Sequence, residues 1–369
     1  MQWKFSEEQE AYREALRGWL GDVADSAQVR AWLGVEGADD GAADPSAFEE
    51  RFVGDGMSGV GVAEELGGQG GGLVELAITA EELARVAAPS AAWLATTLAV
   101  PALQGRPDLL KAALEGGHAA VVVAAECLPD AAPSLAIDHD GRITGVVPRV
   151  LGADRAGVLV VLAGEGDAAR LHAVAAGDAA VTLTPHVLLD RSRSVADVRL
   201  DGAPGEVLDV DPAVALARIT EMAGVVTAAD ALGAMQRMLD LAVEYSGQRQ
   251  QFGVPIGSFQ AVKHAAATIL VDLEAGRSGV YYAAASVDGQ FPDCGLHAAA
   301  VKAQVTAAAG RAADAALTMH GAIGYTWEHD LHLFYKRARL DAELFGPVAA
   351  WNERIADGLH LVLGESDVI

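Results

Sequence analysis

After Asp211-Pro212 the chain settles into three long Ala-rich stretches, 213–248, 259–287 and 296–320, with apolar residues at helical spacing. At ~1.5 Å per residue, stretches of that length fit a folded protein only as long helices lying side by side. Leu340 to Leu363 reads as a final helical segment. Residues 211–369 are therefore predicted to form a bundle. Aromatic residues make up 5% of the chain and apolar residues 51%, so Ala, Val and Leu must fill its core.

Residues 1–116 also read as helices, joined by polar loops. Ser6 and Gln9 have the spacing of a capping box that opens the first helix. Gly67-Gly68-Gln69-Gly70-Gly71-Gly72 precedes a helix predicted from Leu73 to Ala87. Neither a preceding strand nor a following Lys and Ser/Thr at phosphate-loop spacing accompanies that run, so it reads as a backbone turn. Val86 to Gly105 lacks charge but holds Pro89, Pro101 and Thr residues, as a buried helix would and a membrane span would not.

Between 117 and 210 the texture changes. Ala119–Ala125, Arg142–Val147, Ala156–Ala163, Arg170–Ala175 and Ala196–Leu200 are short, mostly Val-rich runs separated by turn residues such as Asp140-Gly141. They predict a compact β domain of mostly antiparallel strands. The fold class expected is α+β, with an N-terminal helical domain (1–116), a middle β domain (117–210) and a C-terminal four-helix bundle (211–369).

Net charge is −25, a field that disfavours nucleic acid and anionic membranes. Two cysteines, Cys127 and Cys294, offer neither a metal spacing nor a disulfide framework. The first residues, Met1-Gln2-Trp3-Lys4-Phe5-Ser6-Glu7-Glu8, are amphipathic and acidic, unlike a signal peptide. A cytoplasmic location is the expectation.

The segment between the first two long helices, Arg249-Gln250-Gln251-Phe252-Gly253-Val254-Pro255-Ile256-Gly257-Ser258-Phe259-Gln260-Ala261-Val262-Lys263-His264, resembles the signature of the acyl-CoA dehydrogenase family. A second stretch, His320-Gly321-Ala322-Ile323-Gly324-Tyr325-Thr326-Trp327-Glu328-His329-Asp330-Leu331-His332, resembles that family's later Gly-rich motif at the family's spacing. The resemblance covers nearly the whole chain. It implies removal of two hydrogens from an acyl-CoA thioester, with a carboxylate taking a proton and FAD taking a hydride.

The resemblance assigns Arg249 to the pyrophosphate of a neighbouring subunit's FAD, a contact suited to a guanidinium fork. Gln251, Phe252, Gln260 and Gly321 match adjoining cofactor contacts. Other positions depart from the family's pattern. Thr318 stands where a flavin-contacting Gln is usual, and Ala322 where a Gly is usual. Beside the flavin ring the family has hydroxyl-bearing segments; this chain offers Ala124-Ala125-Glu126-Cys127-Leu128-Pro129 and Pro148-Arg149-Val150-Leu151-Gly152-Ala153. The family's two places for the catalytic Glu fall on Phe345 and Ala223. Glu221, Glu343 and Asp341 lie nearby as displaced candidates, although Glu221 sits ~200° around the helix from Ala223. His329 and His332 are three apart, and a metal site would need further ligands.

The reading that joins these observations is a subunit that completes the FAD site of a related partner chain and lacks the base itself. An α2β2 heterotetramer acting on an acyl-CoA is expected, with a steroid side-chain thioester as one candidate. The competing readings are a self-sufficient homo-oligomer using Glu221 or Glu343, and a flavin-free structural or regulatory homologue.

Overall fold

The computed structural model describes residues 4–36, 39–40 and 43–359. Its N-terminal helices are α1 (Glu7–Val23), α2 (Ser26–Trp32), α3 (Ser46–Gly54), α4 (Leu73–Arg85), α5 (Ala91–Leu103) and α6 (Pro107–Ala112). A two-stranded ladder, β1 (Val35–Glu36) with β2 (Asp39–Asp40), precedes α3. The expected capping box is present: Gln9 N–H donates to Ser6 Oγ at 3.1 Å and Ser6 N–H to Gln9 Oε1 at 3.0 Å. Ser6→Ala should therefore cost about 1 kcal/mol, read as a lower midpoint in chemical denaturation. The charge-free stretch forms α5, every residue of which is buried.

Two four-stranded sheets follow. The strands are β3 (Ala119–Val121), β4 (Ala136–Ile137), β5 (Arg142–Leu151), β6 (Val158–Ala163), β7 (Arg170–Ala175), β8 (Val181–His186), β9 (Val195–Pro204) and β10 (Glu206–Val207). One sheet has the order β10-β7-β6-β3 and the other β4-β5-β9-β8. Only the β3–β6 pair is parallel. Three strands were not anticipated from sequence: β4, β8 and β10. β8 contains Pro185, which lacks an N–H, and it lies at a sheet edge where that is tolerated. β5 runs on past the expected Val147 through an irregularity between Val147 and Val150, where Arg149 has φ of +48°.

The C-terminal part contains α7 (Pro212–Gln248), α8 (Gln260–Asp288), α9 (Cys294–His320), α10 (Leu331–Glu343) and α11 (Val348–Gly358). Asp211 caps α7 by accepting from Ala213 N–H at 2.8 Å, and Pro212 occupies the first turn, where no N–H is needed. α7 is long and apolar enough to cross a bilayer, yet 67% of its most apolar window is buried within the fold. The single segment expected from Leu340 to Leu363 is instead broken. Phe345 (φ +58°), Gly346 (φ +102°) and Pro347 end one helix and start another. Residues 360–363 lie outside the described residues.

α4 and α7 cross in direct contact. A Cβ added at Gly233 would stand 2.0 Å from the Glu81 carbonyl oxygen, so only Gly allows this approach. Next to the crossing lies a buried ionic junction between all three parts of the chain. Asp230 of α7 accepts from Arg337 Nε and Nη2 of α10 at 2.6 Å each. It also accepts from Arg193 Nη2, ahead of β9, at 2.6 Å. Arg337 further donates to the Ala88 carbonyl at 2.9 Å and to Ser192 Oγ and Ser90 Oγ at 3.0 Å. Burial works against the Asp230 charge, but the guanidiniums of Arg193 and Arg337 hold its carboxyl down to about 2.

Candidate functional site

The first motif forms a projecting hairpin. α7 ends with the Arg249 N–H donating to the Tyr245 carbonyl at 2.8 Å. The strands β11 (Gln250–Gln251) and β12 (Val254–Pro255) then turn about Phe252 and Gly253, both at positive φ (+55° and +81°). That is the conformation a two-residue hairpin loop requires. The Ile256 N–H donates back to the Arg249 carbonyl at 2.8 Å, and α8 begins at Gln260. Phe252 is 93% exposed, with its ring edge toward Phe259 at 6.2 Å between centroids.

The side chains of Arg249, Gln251 and Gln260 are exposed. Among the described residues, none of the three makes a side-chain hydrogen bond or ion pair. An exposed guanidinium and an exposed phenyl ring on one hairpin contribute little to this chain's own packing. They suit a planar, anionic, aromatic-bearing group presented from outside.

The second motif lies at the same end of the bundle. The Tyr245 ring, one turn before Arg249, stacks on His320 at 4.8 Å, and His320 meets His329 at 4.6 Å. Gly321 follows directly, with φ +63°, ψ −142° and open space where a side chain would stand. Thr318 is exposed and turns its hydroxyl back to the Asp314 carbonyl at 2.8 Å. His329 accepts from the Leu331 N–H at 3.2 Å, and His332 is buried against the Trp327 edge at 5.0 Å. No group of three possible metal ligands occurs among the described residues.

At the place expected for this chain's own flavin ring, Phe345 is tied to the flanking segments. Phe345 is buried, and its N–H donates to the Ala125 carbonyl at 2.5 Å. Ala125 in turn donates to the Arg149 carbonyl at 3.0 Å, and Ala124 bridges Val150. The Arg149 guanidinium pairs with Glu126. Trp351, fully buried, donates its indole N–H to the Phe345 carbonyl at 3.1 Å. Its ring presses against Gly224 of α7, where an added Cβ would meet it at 3.0 Å. Leu128 covers Gly346 from the other side. The two segments that would flank the ring are thus hydrogen-bonded to each other, with Phe345 and Trp351 packed at one end, and neither segment carries a side-chain hydroxyl. These residues do not fit a flavin ring.

The carboxylates are dispersed. Ala223 is fully buried in α7. Glu221 is half-buried and points to the start of α9, accepting weakly from Cys294 Sγ at 3.7 Å and facing Arg218 at 3.9 Å. Burial raises its carboxyl, with Arg218 opposing. Glu343 is exposed, and Asp341 is buried beside Asp230. The structure therefore brings Arg249, Gln251, Phe252, Gln260 and Gly321 to one end, while Phe345 and Ala223, both buried, hold the family's base positions. Trp351 was not anticipated as part of the site, whereas Leu128 lies in a segment already expected there. The spacing of Trp351 after Phe345 was visible, but not the fold-back that unites it with Leu128.

Residues 6–109 match the acyl-CoA dehydrogenase N-terminal domain and residues 213–360 the acyl-CoA dehydrogenase C-terminal domain. Acyl-CoA dehydrogenase IpdE2 of Mycobacterium tuberculosis is 34% identical over 338 residues, covering 92% of this chain and 93% of that protein. The chain belongs to the acyl-CoA dehydrogenase family, a family of oxidoreductases. Acyl-CoA dehydrogenase FadE34 of Mycobacterium tuberculosis is 35% identical over 357 residues, 95% of this chain but 48% of that protein. The chain thus spans about half the length of FadE34. Among solved structures, the ChsE4-ChsE5 complex from Mycobacterium tuberculosis superposes with a TM-score of 0.84 at 24% identity, covering 99% of this chain and 100% of the other.

Proposed function

We propose that this chain is a subunit of an FAD-dependent acyl-CoA dehydrogenase that completes the flavin site of a related partner chain. It supplies no catalytic base. The observation that carries this reading is the contrast between the two half-sites. In the outward one, Phe252 is almost fully exposed and the Arg249 side chain makes no hydrogen bond or ion pair among the described residues. The inward one has buried Phe345 at the family's base position and no hydroxyl in either flanking segment.

In this reading Arg249 holds the partner's FAD pyrophosphate as a bidentate donor, and Phe252 covers an apolar face of the cofactor. Gln251 and Gln260 supply amide contacts, and Gly321 allows close backbone approach. FAD, when bound, supplies hydride acceptance from the acyl-CoA, while the base belongs to the partner. This chain orients and excludes water. The acyl group, with a steroid side chain as one candidate, is bound in the partner's cleft.

Two relatives favour a paired assembly. One is a solved complex of two differently named chains. The other, FadE34, carries about as much polypeptide again beyond the part this chain matches. An α2β2 heterotetramer in the cytoplasm is the assembly proposed.

The test is the visible absorption of the chain purified alone and after co-expression with a related dehydrogenase chain. No flavin alone and one flavin per pair is the expected result. One flavin per chain when alone would refute the shared-site reading.

A further inference from the structure

The ionic junction around Asp230 contains a second acid. Asp341 of α10 is 1% exposed, and neither of its carboxyl oxygens receives a hydrogen bond from any donor. It lies one helical turn from Arg337 on α10, and Arg337 bonds Asp230, so the two buried acids share one cluster. Asp230 is already committed to Arg193 and Arg337. Two ionised carboxylates in contact away from water repel strongly, and one proton between them turns the contact into a hydrogen bond.

The surrounding groups decide which acid carries the proton. Asp230 on α7 touches both guanidiniums and stays charged. Asp341 has Arg193 and Arg337 only at longer range, and Asp190 adds negative charge near Arg337. On α9, Lys302 is fully buried, and its ammonium donates to the backbone carbonyl of Asp341 at 2.6 Å, not to its carboxyl. Exposed Glu343 acts on Lys302 from the far side. Burial pushes the Asp341 carboxyl well above its ordinary range, and the neighbouring Asp230 charge pushes the same way.

We infer that Asp341 is held as a neutral carboxylic acid whose O–H donates to Asp230, so that the junction of the chain's three parts is a proton-loaded lock that loosens as pH rises. An acid whose folded pKa lies above its unfolded value stabilises the fold fully below that unfolded value, about 4 for Asp. The contribution is lost progressively as pH climbs from there through the folded pKa. Lys302 works in the opposite sense. Burial lowers it to about 8, so its contribution changes between about 8 and its free value of about 10.4, outside the acid's lower window.

The experiment compares unfolding of the full chain with Asp341→Asn from about pH 4.5 to about pH 7.5. Asn keeps the shape and neutrality of the protonated acid. The unfolding constant of the wild type should rise relative to the variant as pH climbs above the free Asp value, by at most about tenfold per pH unit. In parallel, the infrared carbonyl band of a protonated carboxyl should persist in the wild type at neutral pH and weaken in the variant. A constant ratio across the window, an unchanged band, or an Asn variant that fails to fold would each overturn the inference.

Discussion

Replacing Arg249 with Ala is expected to strip flavin from the assembled enzyme while leaving the fold of this chain untouched. The side chain is exposed and bonds to nothing among the described residues, so its loss removes no internal contact. A charged, bidentate contact with a pyrophosphate that is shielded from water is worth about 3 kcal/mol, so flavin should bind on the order of 100-fold more weakly. Arg249→Lys keeps the charge but loses the fork and should fall between the two. The measurement is flavin retained after gel filtration of the co-expressed pair, with circular dichroism as the check on folding. Full retention in the Ala variant would remove Arg249 from the cofactor site.

The second large effect concerns stability. Asp230→Ala leaves two guanidiniums, Arg193 and Arg337, buried without their shared counter-charge. Removing one partner of a buried ionic network costs about 3–5 kcal/mol, because the remaining charge cannot return to water. The denaturation midpoint should fall accordingly. Partial rescue by an ionised Asp341 is expected, so the loss should be larger in a double variant that also carries Asp341→Asn. A loss below about 1 kcal/mol would show that the junction does not hold the three parts together.

Much of this architecture was legible in the order of residues. Helical periodicity placed α7, α8 and α9 to within two residues of their ends, because long apolar repeats with Pro or Gly at the breaks leave little choice. The motif at Arg249 was readable because it is local, its residues being neighbours in sequence and in space, although its folding as a hairpin was not anticipated. The break at Gly346-Pro347 was also written in the chain, in two residues that helices avoid, and the expectation of one helix there gave too much weight to the apolar pattern.

The packing around residue 345 was not legible. It joins residue 125 to residue 345 by a backbone hydrogen bond, and backbone contacts leave no side-chain signature. The absent carboxylate was visible at Phe345; the indole that fills the space was not. The junction at Asp230 was equally silent. Nothing in the local sequence marks Arg193, Asp230 and Arg337 as a group, and only the fold buries them together.

The glycine seat at residue 233 gives α7 a mechanical character. A helix of 37 residues is a stiff rod of about 55 Å, and this one is held near its middle with no side chain as cushion. Arg249 lies some 24 Å beyond that point, at ~1.5 Å per residue. The seat acts as a fulcrum. A tilt of a few degrees where α4 bears on α7 moves the Arg249 end by an ångström or more. Packing among the N-terminal helices thereby sets the aim of the projecting hairpin at Arg249.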